Sequence, residues 1–110
     1  MSEDVLVRLA AVVRQRRLAT AERSYTRQLL DQGVGKCARK FGEEAIEAVV
    51  AALDGTDEEL KGEAADVLFH LMVLLEARGI AWVDVLAVLE GRAGKSGLEE
   101  KASRNPASRP

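Results

Sequence analysis

Lys36-Cys37-Ala38-Arg39-Lys40-Phe41-Gly42-Glu43-Glu44-Ala45-Ile46-Glu47 opens the stretch that decides the fold, and Glu63-Ala64-Ala65-Asp66 closes it. Fifteen residues separate Glu47 from Glu63, and Leu53-Asp54-Gly55-Thr56 interrupts them. Gly55 suits the end of one helix and Thr56 the start of the next, with Glu59 completing a capping box. The pattern predicts two long helices, from about Gly35 or Lys36 to Leu53 and from Thr56 to about Arg78, folded back on each other. Each residue advances a helix by about 100°. With Glu43 at zero, Lys36, Glu47, Lys40 and Glu44 fall at roughly 20°, 40°, 60° and 100°. On the second helix Glu63, Asp66 and His70 lie within about 60° of one another, with Glu59 alongside. A tight hairpin can turn the two polar stripes towards each other.

Working outward, Val5, Leu6, Leu9, Val12 and Val13 recur at helical spacing behind a Ser2-Glu3-Asp4 cap, and the run ends at Arg14, Arg16 and Arg17. Those arginines read as a solvated helix end. A short segment from Thr20 through Leu30 is weakly marked, and its Ser24-Tyr25-Thr26 reads equally as a turn. Gly33 and Gly35 mark a loop. Gly79 stops the second long helix, and a last helix is predicted over about Trp82 to Glu90. The two prolines fall at Pro106 and Pro110, which leaves everything before them free to be helical. Residues 1–104 are expected to form one all-α domain, an antiparallel bundle of four to five helices, and residues 105–110 a disordered tail. The second long helix is apolar nearly all round, and a single short chain can hardly surround it. The core is therefore expected to be completed by dimerisation, as a homodimer or a higher homo-oligomer.

Composition excludes several classes. Apolar residues make up 47% and charged residues 31%, and the net charge is −2 with the signs mixed, which lacks the basic footprint of a nucleic-acid binder. Val67 to Leu75 is interrupted by His70 and falls short of the roughly 20 residues of a membrane span. The lone Cys37 allows no internal disulfide, and the acidic N-terminus lacks a signal-peptide pattern, so a cytoplasmic location is expected. Cys37, Phe69 and Trp82 read as core.

Five acids on two facing stripes suit a hard divalent cation. Mg²⁺ and Mn²⁺ take oxygen ligands and are held by carboxylates together with substrate phosphates. Lys36 and Lys40 on the same stripe can hold phosphate oxygens as point charges. The plainer reading is a solvated face with an ordinary Lys40–Glu44 pair. Two facts weigh against it. Glu43/Glu47 and Lys36/Lys40 are like-charged pairs one turn apart, and Glu63 and Asp66 interrupt an otherwise apolar helix. His70 reads as a core histidine or as a partner to a carboxylate.

Beyond spacing, the chain resembles a known family. Glu43-Glu44-x-x-Glu47 followed by Glu63-x-x-Asp66 looks like the metal motif of the MazG-like all-α nucleotide pyrophosphohydrolases. Four stretches in order resemble the phosphoribosyl-ATP pyrophosphatase family: Ser24-Tyr25-Thr26, Gly35 to Glu44, Glu63 to Leu71, and Ser96-Gly97-Leu98-Glu99-Glu100-Lys101-Ala102-Ser103-Arg104. The similarity spans about Val5 to Arg104. It implies a usually dimeric Mg²⁺ enzyme of histidine biosynthesis that hydrolyses 1-(5-phosphoribosyl)-ATP to 1-(5-phosphoribosyl)-AMP and pyrophosphate. Carried over, Glu43, Glu44, Glu47, Glu63 and Asp66 hold the metal, and one of Glu43, Glu44 and Glu47 orients the attacking water. Lys36 and Lys40 face the phosphates, and Ser24, Tyr25, Ser96 and Lys101 belong to substrate-binding signatures. The cyclohydrolase fused to this domain in some organisms has no counterpart here, so a stand-alone form is expected. The alternatives are a house-cleaning pyrophosphohydrolase of dNTPs or NTPs, which shares the acidic motif but not the terminal signatures, and an inert helical dimerisation module.

Overall fold

A computed structural model describes residues 2–20 and 24–93, and they are helical as the sequence predicts. Helix α1 (Ser2–Gln15) continues into a 3-10 turn (Arg16–Leu18); α2 (Tyr25–Asp31), α3 (Val34–Asp54), α4 (Asp57–Ala77) and α5 (Trp82–Arg92) follow. No strand occurs among the described residues, and no helix of theirs is long and apolar enough to cross a membrane.

The hairpin α3–α4 is the frame of the molecule, two helices each about 30 Å long at 1.5 Å per residue. Its turn is set by local chemistry. Thr56 Oγ1 accepts from the Glu59 amide at 3.1 Å, and Glu59 Oε1 accepts from the Thr56 amide at 2.8 Å. This reciprocal pair satisfies two of the orphan donors at the start of α4. Gly55 is needed for a reason other than the one its sequence position suggested. Its backbone is extended (φ −99°), but a Cβ there would stand 2.9 Å from the Ala51 carbonyl oxygen and 2.7 Å from Glu59 Oε1. The close return of the chain, not a left-handed conformation, excludes a side chain. Left-handed glycines do appear at Gly33 (φ 91°), before α3, and at Gly79 (φ 74°), which ends α4.

Val13, Leu29, Cys37, Met72 and Val73 are fully buried, and Leu6, Leu9, Phe69, Leu74 and Trp82 pack against them. They gather at the open end of the hairpin, where α1 and α2 cross α4. Cys37 is a small core side chain there, donating from Sγ to the Leu29 carbonyl at 3.3 Å. The turn half of the hairpin has no such cover. Ile46, Val49 and Leu53 on α3 are 65%, 58% and 79% exposed, and Leu68 on α4 is 39% exposed. One chain therefore leaves an apolar face of the hairpin in water.

Two local readings change. Helix α2 begins at Tyr25 and not at Thr20, because Ser24 caps it by accepting from the Arg27 amide at 3.1 Å. Arg17 is not merely a solvated helix end, since its guanidinium pairs with the Glu76 carboxylate and donates to the Glu76 carbonyl, tying the 3-10 turn to α4. Arg27 fastens the same connection, donating to the carbonyls of Arg17 (2.8 Å) and Ala19 (2.7 Å) and pairing with Asp31 (2.8 Å).

Candidate metal–phosphate site

The polar stripes of α3 and α4 do meet, midway along the hairpin. One oxygen each of Glu44, Glu63 and Asp66 lies within 4.8 Å of the others. Glu44 is buried, Glu63 half-buried and Asp66 exposed, so the group opens from the helix seam to solvent. Glu63 carries the clearest strain. Its Oε1 is buried without a hydrogen-bond partner. Burial, and then repulsion from Glu47, Asp66 and Glu44, raises its carboxyl pKa above the ordinary value. Unrelieved like charge and an unpaired oxygen are costly in a helix seam.

Of the five acids read from the sequence, three converge and Glu47 stands beside Glu63 as its nearest charged neighbour in electrostatic effect. Glu43 is not in that group: its side chain is 64% exposed and pairs with Lys40 at 3.7 Å. Lys40 Nζ also lies 3.5 Å from Glu44 Oε2, which makes it the cation at the edge of the carboxylate group. Its ammonium pKa is raised, chiefly by the nearby Tyr25 phenol and further by Glu44 and Glu43. Lys36, one turn back on the same stripe, is half-buried and engaged by no ion pair among the described residues. Ser24 is a buried helix cap whose hydroxyl is used by the Arg27 amide. Ser96 and Lys101 lie outside the described residues.

Helical spacing could not reveal an aromatic corner next to Lys40. The Tyr25 ring, half exposed, stacks on Phe69 at 6.5 Å, and the edge-on His70 ring stands 6.0 Å from Tyr25 and 5.0 Å from Phe69. These contacts join α2 to α4 across the fold, so no local signal announces them. His70 is buried, and burial lowers its pKa; Glu44 and Asp66 oppose that effect and Lys40 reinforces it. It is a neutral ring beneath the charged groups at neutral pH.

Two concavities of the described surface differ in character. One, about 200 Å³, lies between α1, α4 and α5, is lined largely by Val7, Ala10, Met72, Leu75 and Trp82, and is distant from the carboxylates in composition and place. The other, about 410 Å³, shares Glu47 and Glu63 with the carboxylate group and extends over Val50 and Ala51 to Asp54 and Glu59 at the turn.

The donor set fits a small divalent ion. At a Mg–O distance of about 2.1 Å, oxygens on one octahedral ion stand about 3.0 Å apart when adjacent and about 4.2 Å when opposite, so drawing a 4.8 Å group onto one ion takes side-chain movements on the order of an ångström. An ion there would also give the orphaned Glu63 oxygen a partner.

Comparison with known proteins bears on the same residues. A family model described as phosphoribosyl-ATP pyrophosphohydrolase matches residues 6–93. The phosphoribosyl-ATP pyrophosphatase of Cereibacter sphaeroides is 53% identical over 100 residues, covering 91% of this chain and 97% of that protein. Those of Erythrobacter litoralis (54% over 101 residues; 92% and 97% covered) and Novosphingobium aromaticivorans (50% over 102 residues; 93% and 95% covered) bear the same name.

Proposed function

The chain belongs to the phosphoribosyl-ATP pyrophosphohydrolase family, and we propose from that premise how its carboxylate seam serves the reaction. The protein is a hydrolase that converts 1-(5-phosphoribosyl)-ATP to 1-(5-phosphoribosyl)-AMP and pyrophosphate, a step of histidine biosynthesis. The observation that carries the assignment of the site is the convergence of Glu44, Glu63 and Asp66 on one point.

Glu44, Glu63 and Asp66 would hold a Mg²⁺ ion, for which Mn²⁺ could substitute. When bound, the ion neutralises the polyphosphate and stabilises the leaving pyrophosphate. Glu47 is beside Glu63 but exposed, which suits it to accept a proton from the attacking water and to orient that water in line with phosphorus. Lys40 turns from Glu44 to the phosphate oxygens as a point charge, and Lys36 supports it one turn away. The Tyr25 phenol, next to Lys40, offers a hydroxyl to the same phosphates. His70, held neutral by burial, and Phe69 fix the Tyr25 ring. Ser24 acts indirectly, by setting where α2 and hence Tyr25 begins. Glu43 stays a solvent-side partner of Lys40. Ser96 and Lys101 are assigned to substrate on family resemblance alone.

A homodimer goes with this reading. It would cover Ile46, Val49, Leu53 and Leu68, which one chain leaves exposed. A cytoplasmic location also goes with it.

Two measurements test the assignment. Pyrophosphate release from phosphoribosyl-ATP is compared with release from a panel of dNTPs and NTPs; rapid turnover of the panel and none of phosphoribosyl-ATP would refute the substrate. Calorimetric Mg²⁺ titration of Glu63→Gln tests the centre. The variant should lose Mg²⁺ binding and at least 100-fold in activity, yet melt higher than the parent in EDTA because the repulsion is gone. The sign follows from the raised carboxyl pKa. The metal-free parent should lose stability as pH rises from the ordinary carboxylate range through the raised value, and the variant should not. Unchanged Mg²⁺ affinity would remove Glu63 from the centre.

A further inference from the structure

Helix α2 has seven residues, a length at which a helix alone does not persist in water. Tyr25 is its first residue, and a helix end is where fraying begins. The Tyr25 ring rests on Phe69 and His70 of α4 with half of its surface still in water. Glu76 follows Phe69 by seven residues, so it lies two turns on, about 10 Å along the same face of α4. There the Arg17 guanidinium holds both the Glu76 carboxylate and the Glu76 carbonyl. Arg27 joins these two places. It stands two residues after Tyr25, donates from one Nη to the carbonyls of Arg17 (2.8 Å) and Ala19 (2.7 Å), and donates from Nε to Asp31 (2.8 Å). Bonds this close to solvent contribute little net stability, because water can replace them. What they set is the place of α2 against the 3-10 turn.

We propose that Arg27 is a positioning residue for the reaction: by bridging α2 to the 3-10 turn that Arg17 fastens to Glu76, it holds the Tyr25 hydroxyl where it can meet the substrate phosphates beside Lys40. The inference rests on the assignment of Tyr25 to those phosphates. Three of the five guanidinium donors of Arg27 already face protein acceptors, so its action on substrate runs through Tyr25 and not through direct contact. The ring contacts with Phe69 and His70 fix one end of the arrangement and the Arg17–Glu76 tie fixes the other, and α4, which carries Glu63 and Asp66, supplies both anchors. The place of the phenol is thereby tied to the helix that carries two of the three converging acids.

Tyr25 is the only tyrosine of the chain, so ring-labelled tyrosine in the full-length protein gives a single set of NMR resonances, displaced by the Phe69 and His70 rings beside it. Arg27→Met removes every donor while keeping the aliphatic stem and a good helix former. It should move the Tyr25 resonances towards those of a free tyrosine in a protein of native helical content. It should also raise KM for phosphoribosyl-ATP about fivefold, and Tyr25→Phe, which keeps the ring contacts, about tenfold, the size of one hydrogen bond to a charged group. The double variant should match Tyr25→Phe within about twofold, because a positioning residue then has nothing left to place. Effects that multiply, to about fiftyfold in the double variant, would show that Arg27 acts apart from Tyr25 and overturn the proposal. Tyr25 resonances left in place by Arg27→Met would overturn it as well. Displaced resonances with KM unchanged in both single variants would defeat the assignment of Tyr25 to the phosphates, and the positioning role of Arg27 with it.

Discussion

Replacing Ile46 by alanine isolates the apolar face of α3 from everything else in the fold. Ile46 is 65% exposed in the single chain, so little of it is lost from the chain's own core. Alanine is also the better helix former, so α3 itself should not weaken. Isoleucine carries three carbons more than alanine, worth roughly 2.4 kcal/mol on full burial at about 0.8 kcal/mol per carbon. Only the exposed 65% remains to be buried by a partner, which gives about 1.6 kcal/mol per copy. A two-fold axis counts the patch twice, so the dimer should lose about 3 kcal/mol at most, roughly 150-fold in Kd. Sedimentation equilibrium from nanomolar to micromolar protein measures the shift directly. The thermal midpoint should also become more concentration-dependent at low protein, because folding and association are linked. A parent that sediments as a monomer at tens of micromolar refutes the reasoning, as does a dimeric parent whose Kd moves less than threefold in Ile46→Ala.

Two further outcomes are expected. Leu29 is 2% exposed and carries α2 into the core, so Leu29→Ala should lower folding stability by about 2–5 kcal/mol in urea titrations and raise KM by loosening Tyr25, which begins the same helix. His70 has a lowered pKa in the folded state, so the unfolded chain binds the extra proton first; stability should therefore fall as pH drops below about 6.5 through the lowered value, and His70→Gln should flatten that limb in metal-free protein, whereas parallel limbs would show that His70 does not contribute.

The hairpin was readable because its signals are local. Thr56 and Glu59 sit three residues apart and make the capping box that their spacing predicts, and Gly79 ends α4 where expected. The convergence of the acids was readable only in part. Angles around one helix place Glu43 and Glu44 at opposite edges of one stripe, at zero and roughly 100°. The structure separates them: Glu44 is buried against the seam and Glu43 is turned to solvent. The periodicity of α3 says which residues share a face, but the axis of α4 decides which side of that face is inside. The Tyr25–Phe69–His70 corner and the Arg17–Glu76 tie were invisible for a related reason, since each joins residues more than forty positions apart. Gly55 shows the converse: its position was legible while its cause, a steric one, was not.

The distribution of stabilising contacts explains why the site lies where it does. Buried apolar residues hold the open end of the hairpin, and the capping box holds its turn. Between them Glu44, Glu63 and Asp66 occupy a seam where like charges meet. A seam of this kind is tolerable because both ends are fixed independently of it. Protonation of Glu63 or a bound cation would relieve the repulsion, and linkage makes either relief a folding term. At a cation concentration 100 times Kd, binding to the folded state alone adds about 2.7 kcal/mol of stability. On the proposed reading, the same carboxylates that weaken the metal-free hairpin reward occupancy, and Lys40 stands beside them where it can meet phosphate oxygens. Charge that is a liability for folding is then, at this seam, what favours the ligand.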